Sequence, residues 1–288
     1  MQYNFICAII VLFIDNYKIN MPVDFLCALI FVSQSLFCLR MAFHKSFDQC
    51  SGLLHRTLNY QKNSSLALNE RLNFLYPDIN EERYPLPRGL SPEDKSTNAV
   101  IAEYPLQLKY YKHVDEVDRD NGCVRADNPI PLTVGLYYFE IKILSRGLFG
   151  RAYIGLTTFG TDLHRAPGWD LETYGYHGDD GKKFSGQPWG TKYGPVFEVN
   201  DVVGCGVNFE NQTCFFTLNG KFLGIAFRDI PISTFYPTVG IGSDNELIEV
   251  NFGQTPFIYN IKMEMVLNES HAKDLKMKRK QSIKRNLR

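Results

Sequence analysis

No apolar run in this 288-residue chain reaches the roughly 20 residues that a membrane-spanning helix needs. The two longest candidates sit near the start. Residues 5–14 (FICAIIVLFI) are too short, and residues 25–39 (FLCALIFVSQSLFCL) are interrupted by Ser33, Gln34 and Ser35. The opening Met1-Gln2-Tyr3-Asn4 lacks the positive charge of a secretory signal. Net charge is also absent: 31 basic residues cancel 31 acidic ones. None of the seven cysteines is spaced C-x-x-C, and their number is odd, which disfavours a disulfide framework or a zinc site. Reduced, buried thiols in an intracellular protein are the plain reading. There is no G-x-S-x-G, no H-E-x-x-H, no P-loop and no dinucleotide fingerprint, so no enzymatic constellation is legible.

The zero net charge is a sum of unlike parts. Residues 77–262 carry 17 basic and 24 acidic residues, and residues 263–288 carry eight basic and three acidic. An acidic body disfavours phosphate-backbone binding, so no nucleic acid is expected on the main domain. The tail cluster Lys278, Arg279, Lys280, Lys284 and Arg285 is a candidate nuclear-import signal, set against an ordinary solvated end.

These shifts divide the chain into an apolar leader (1–40), a linker with the start of a lead-in helix (41–71), a main domain (72–262) and a basic tail (263–288). The leader admits three readings: a membrane anchor or signal, a buried hairpin of helices, or an extension with the true start at Met21 or Met41. N-x-[ST] triplets begin at Asn63, Asn211 and Asn268 and matter only in a secreted chain. Leucines at 68, 72 and 75 have helical spacing, and Pro77 supplies a stop.

Beyond Pro77 the texture is that of short strands separated by Gly, Pro, Asn and Asp. Candidates are 106–111, 137–144, 152–156, 202–209, 213–218, 221–227, 238–241 and 247–252. Asn219-Gly220 between two of them predicts a type I′ hairpin. Many short strands without long helices predict an all-β sandwich. Residues 160–194 hold eight glycines and both tryptophans, and read as one long ordered loop. His177, beside Asp179 and Asp180, could in principle meet a metal. Gly-Asp-Asp-Gly lacks the alternating oxygens of a calcium loop, so solvated turn residues are expected, with no metal and no cofactor.

The strings Pro167-Gly168-Trp169-Asp170 and Tyr174-Gly175-Tyr176-His177-Gly178-Asp179-Asp180-Gly181 resemble the SPRY domain of the Ran-binding-protein-M family. So do Pro129-Ile130-Pro131, Tyr137-Tyr138-Phe139-Glu140, Asp201-Val202-Val203-Gly204-Cys205, Tyr236-Pro237-Thr238-Val239-Gly240 and Asn251-Phe252-Gly253-Gln254. The resemblance covers roughly 72–259. It implies an all-β, concanavalin-like sandwich of two antiparallel sheets, with a short N-terminal helix and flanking irregular segments. It implies a non-catalytic module that binds a short peptide segment of a partner protein through edge loops. Members of this subtype act in a CTLH-type ubiquitin ligase, which makes ligase subunits candidate partners, in the cytoplasm and the nucleus.

Carried over by the resemblance, the binding positions are Arg125, Asp127 and Asn128, then Leu163 and His164, then Ile241, Gly242 and Ser243. Arg125 would pair with a carboxylate or carbonyls, Asn128 would match a backbone amide, and Leu163 and Ile241 would form an apolar floor. Tyr153 stands where the family usually has glycine, and residues 96–123 carry extra charged loop, Asp115 to Asp120. The family continues into helical LisH, CTLH and CRA regions, whereas about 25 residues follow here. A lectin-like carbohydrate binder and a membrane-tethered SPRY protein, the latter only if residues 1–40 are an anchor, are the alternative readings.

Overall fold

The computed structural model describes residues 65–102, 106–111 and 121–265. The leader, most of the linker, the charged loop at 115–120 and the basic tail lie outside the described residues. Asn63 and Asn268 lie outside them as well.

The chain enters through a helix, α1, over residues 65–75. Its Leu68, Leu72 and Leu75 pack on the core, as their spacing predicts. The helix stops before Pro77, and Arg71 on its flank donates to the carbonyls of Gly253 (2.5 Å) and Gln254 (2.6 Å). Fourteen strands follow among the described residues. The first seven are β1 (Leu90–Lys95), β2 (Ala99–Ala102), β3 (Gln107–Tyr110), β4 (Gly122–Ala126), β5 (Leu136–Arg146), β6 (Ala152–Thr158) and β7 (Tyr174–His177). The rest are β8 (Lys182–Phe184), β9 (Thr191–Lys192), β10 (Val202–Asn208), β11 (Thr213–Leu218), β12 (Lys221–Phe227), β13 (Phe235–Ile241) and β14 (Glu246–Asn251).

They form two antiparallel sheets of seven strands. The first runs β1-β4-β13-β6-β7-β8-β9, the second β12-β11-β10-β5-β14-β3-β2. The pattern is the all-β sandwich that the sequence predicts. Alternation along each strand decides what faces the core. Tyr137, Phe139, Ile141 and Ile143 of β5 point inward, against Val203 and Cys205 of β10 and Phe216 of β11. Each such side chain contributes about 2 kcal/mol by leaving water.

The outward face of the second sheet is covered by the chain's own later segment. Tyr138 lies flat over Gly204, where an added Cβ would stand 1.9 Å from its hydroxyl. That hydroxyl donates to Glu140 at 3.0 Å. The Glu140 carboxylate also accepts the N–H groups of Ile258 (3.0 Å) and Tyr259 (3.1 Å), fastening residues 257–259 to the sheet. Burial raises the Glu140 carboxyl above its ordinary value, and these donors oppose the shift.

The β11–β12 hairpin turns at Asn219 (φ 50°) and Gly220 (φ 74°), the left-handed pair that a type I′ turn requires. Strand β12 is the outer strand of its sheet, and two side chains from the other sheet cap its carbonyls. Lys183 Nζ donates to Ala226 at 2.5 Å, and the Tyr193 hydroxyl donates to Gly224 at 2.6 Å.

Candidate functional site

Residues 160–194 are not one loop. They contain β7, β8 and β9, and the longest irregular part is a strap over residues 159–173. The strap lies on the outer face of the first sheet. Cys123, Tyr153, Leu163 and Ala166 form a second apolar cluster there, with Trp169 packed against it. Gly175 is required beneath the strap, because a Cβ would stand 1.9 Å from the Pro167 carbonyl.

Arg125 holds the strap from below. Registers place Arg125 opposite Thr238, and Thr238 opposite Gly155, so its side chain rises on the outer face. The side chain is 1% exposed. Nε donates to Thr157 Oγ1 (3.0 Å), one terminal nitrogen donates to Asp94 Oδ1 (2.7 Å), and the other donates to the Thr161 carbonyl (2.6 Å). The peptide-facing Arg125 expected from the sequence is therefore corrected. Three of its five N–H donors are committed inside the protein, and the buried side chain faces no ligand at the surface.

Ile241 is corrected for a different reason. It lies three residues beyond Thr238 on β13, an odd step, so it faces the opposite side from Arg125 and sits in the main core. Leu163 is a buried plug on the underside of the strap and not an apolar floor for a peptide. Gly242 and Ser243 are also buried, and their N–H groups donate to Glu246 Oε2 at 2.8 and 2.9 Å. Asp127 is exposed and Asn128 half-buried, but they lie at the Tyr236 end of β13, about 20 Å along the strands from Ser243. His164 is half-exposed. Its ring nitrogens meet Asp162 (3.2 Å) and Thr97 (3.0 Å), and its carbonyl accepts the Asn121 N–H (2.9 Å). The eight positions therefore do not form one surface.

His177 is likewise not a solvated turn residue. It is stacked on Phe184 with ring centroids 3.9 Å apart, and Tyr153 lies 4.6 Å away. Nε2 is 2.9 Å from the Pro167 carbonyl. A carbonyl only accepts, so the proton is assigned to Nε2. Burial lowers its pKa to about 4, and the imidazole is neutral at physiological pH.

What the structure does bring together is a ring of loops around Glu246. Its carboxylate accepts the N–H groups of Gly242, Ser243 and Arg151. Ser145 Oγ donates to the Asn245 carbonyl at 2.6 Å, and the Tyr111 N–H donates to the Asn98 carbonyl at 2.9 Å. Burial raises the Glu246 carboxyl above its usual range, and the convergent N–H donors limit that shift. The β5–β6 connection, which crosses from the second sheet to the first, projects from this ring. Its turn closes through Gly150 N–H to the Arg146 carbonyl at 3.1 Å, with Gly147 and Gly150 at positive φ. Leu148 at its tip is 82% exposed and Phe149 56%. The Arg151 guanidinium stands 4.9 Å from the Phe149 ring centroid. Beside the tip is an open cleft lined by Lys109, Tyr110, Tyr111, Asp244 and Asn245.

The ring is a rigid, mixed apolar and charged surface. No metal-ligating cluster occurs among the described residues. Sequence reasoning missed the ring because Glu246 reads as one more charged residue at a strand end. The usable signal was the apolar pair inside Gly147-Leu148-Phe149-Gly150, flanked by arginines.

Residues 136–255 match the family described as SPRY domain. The chain is 47% identical over 215 residues to "Ran-binding protein 10" of Danio rerio, covering 75% of this chain and 34% of that one. It is 47% identical over 194 residues to "Ran-binding protein 9" of Homo sapiens, covering 67% and 26%. Among solved structures, "Crystal structure of human SPRY domain" aligns at 26% identity and a TM-score of 0.49, over 59% of this chain and 100% of that one. The chain spans about a third or less of the length of these relatives.

Proposed function

The sandwich is a SPRY domain of the Ran-binding-protein-M family, and from that premise we propose that the chain is a non-catalytic interaction module gripping a short segment of a partner protein at the Glu246 loop ring. One observation carries this reading. Leu148 and Phe149 are held out to solvent on a turn whose base is fixed by Arg151 N–H to Glu246. Exposed apolar side chains on rigid backbone, next to an arginine and a polar cleft, have the character of a protein-binding hot spot. The pair supplies the apolar anchor, Arg151 supplies charge, and the cleft accommodates an extended chain.

In this reading the module serves as an adaptor or substrate-recruiting subunit of a CTLH-type ubiquitin ligase, in the cytoplasm and, through Lys278–Lys280, in the nucleus. The test is affinity purification with mass spectrometry on the full chain and on Leu148→Asp. Partners lost with the substitution are those of the ring. Ligase subunits among the wild-type partners support the adaptor role. A partner list unchanged by Leu148→Asp overturns the site.

A further inference from the structure

The end of the first sheet remote from Glu246 carries a second exposed apolar feature. Four segments reach that end from neighbouring strands. Ile232 precedes β13, Phe159 follows β6, Leu171 precedes β7, and Trp189 lies in the β8–β9 hairpin. In the sheet order β13-β6-β7-β8 these strands are adjacent. All four side chains are between 63% and 81% exposed. Two contacts join them to their surroundings. Phe159 pairs with the Tyr236 ring at 6.4 Å, and a Cβ on Gly186, in the Trp189 hairpin, would stand 3.2 Å from Leu171 Cδ2. Each strand displays one large apolar residue at the same end.

The four strands that carry these segments are adjacent, and at about 4.8 Å per spacing their axes span about 15 Å. An α-helix presents apolar residues on one face at i, i+4, i+7 and i+11, which cover about 16 Å. The rim selects the charge. Glu172 and Asp229 are exposed and hold positive φ of 56° and 55°, so both are fixed in tight turns. With exposed Asp127 they outnumber the exposed Arg228 and Lys192, because Arg165 is already paired with Asp170 at 2.8 Å.

We propose that the row Ile232–Phe159–Leu171–Trp189 is a second docking surface, for a partner's amphipathic α-helix of about three turns with lysine or arginine flanking its apolar face. It is independent of the Glu246 ring, which lies at the other end of the strands, and does not rest on the peptide-binding reading.

The probe is a synthetic helix of about 18 residues, with leucines along one face and lysines along the other. It is titrated into the full chain by calorimetry and by tryptophan emission. A shuffled peptide of the same composition and a leucine–glutamate helix are the comparisons. The leucine–lysine helix binds and shifts the emission of Trp189 to the blue. The shuffled and acidic peptides bind at least about ten-fold more weakly, a difference of about 1.4 kcal/mol. Leu171→Asp and Ile232→Asp, both at exposed positions, each weaken binding by a similar factor, while Leu148→Asp at the opposite end leaves it unchanged. Equal binding of the shuffled peptide overturns the proposal, as does binding that survives both substitutions. A concentration-dependent dimer lost in Leu171→Asp also overturns it, because a second copy is then the occupant.

Discussion

Arg125 and Asp94 form an ion pair of unequal burial: 2.7 Å separates them, the arginine side chain is 1% exposed, and the aspartate is 31% exposed. The arginine also donates to the strap at Thr161. The pair therefore ties the edge strand β1, the inner strand β4 and the strap to one guanidinium.

Arg125→Ala is expected to lower the unfolding free energy by about 3 kcal/mol, within the range for removing one partner of a buried pair. Asp94→Ala leaves the buried guanidinium without its counter-charge and should cost as much, whereas the half-buried Asp94 left by Arg125→Ala can rehydrate. Urea denaturation of the two variants measures both losses. Equal, negligible losses would show that the strap does not depend on this group.

Cys123 lies beneath the strap, fully buried, and burial raises its thiol far above the ordinary value. A thiol reagent should leave Cys123 unlabelled in the native protein. In Arg125→Ala, labelling of Cys123 should accelerate by about ten-fold or more, while the core thiols Cys205 and Cys214 stay protected. Peptide mapping by mass spectrometry distinguishes the sites. Parallel acceleration at all three would mean global rather than local opening.

His177 sets an acid limit. Its folded pKa, about 4, is below the unfolded value of 6.5. The unfolded chain therefore takes up the proton first as pH falls. The stability His177 contributes is complete above 6.5 and is lost progressively between 6.5 and 4, about 3 kcal/mol in all. Glu140 and Glu246 act in the opposite sense, because their folded values are raised and protonation favours the fold. Comparing the pH dependence of wild type with that of His177→Gln isolates the histidine. If the two curves are parallel from pH 7 to pH 4, the imidazole is not shielded.

Glu246→Gln and Leu148→Asp should separate architecture from recognition. The glutamine cannot accept from all three N–H groups without directing its own NH2 at one of them, so stability should fall by about 1–2 kcal/mol and partner binding should weaken with it. Leu148→Asp should abolish binding at an unchanged melting temperature. A Leu148→Asp variant that binds normally rules the tip of the β5–β6 connection out of the interface.

The readable parts of this chain were those ruled by local chemistry. The Asn219-Gly220 turn and the leucines of α1 follow from backbone preference and period, and strands β5, β10 and β11 from runs of β-branched and aromatic residues bounded by turn residues. Strand β4 was missed because Gly122–Ala126 holds one β-branched residue, Val124, beside a glycine and the buried Arg125. β1 carries Pro92 and three charged residues, tolerable only at a sheet edge. β7 is hidden by Gly175, which the strap requires. The site residues failed for geometric reasons that sequence adjacency and family position do not carry: the strap covers Arg125, an odd step along β13 turns Ile241 into the core, and Asp127 and Asn128 lie at the far end of the strands.

Lys183 and Tyr193 hold the carbonyls of Ala226 and Gly224, so the open side of β12 has two of its acceptors already filled by the opposite sheet. A strand blocked in this way cannot recruit a foreign strand at those positions. Crowding many copies on a shared scaffold then brings the loops of the domains together without giving this margin a route to fibrous stacking, and recognition stays with side chains, where selectivity between partners can be written.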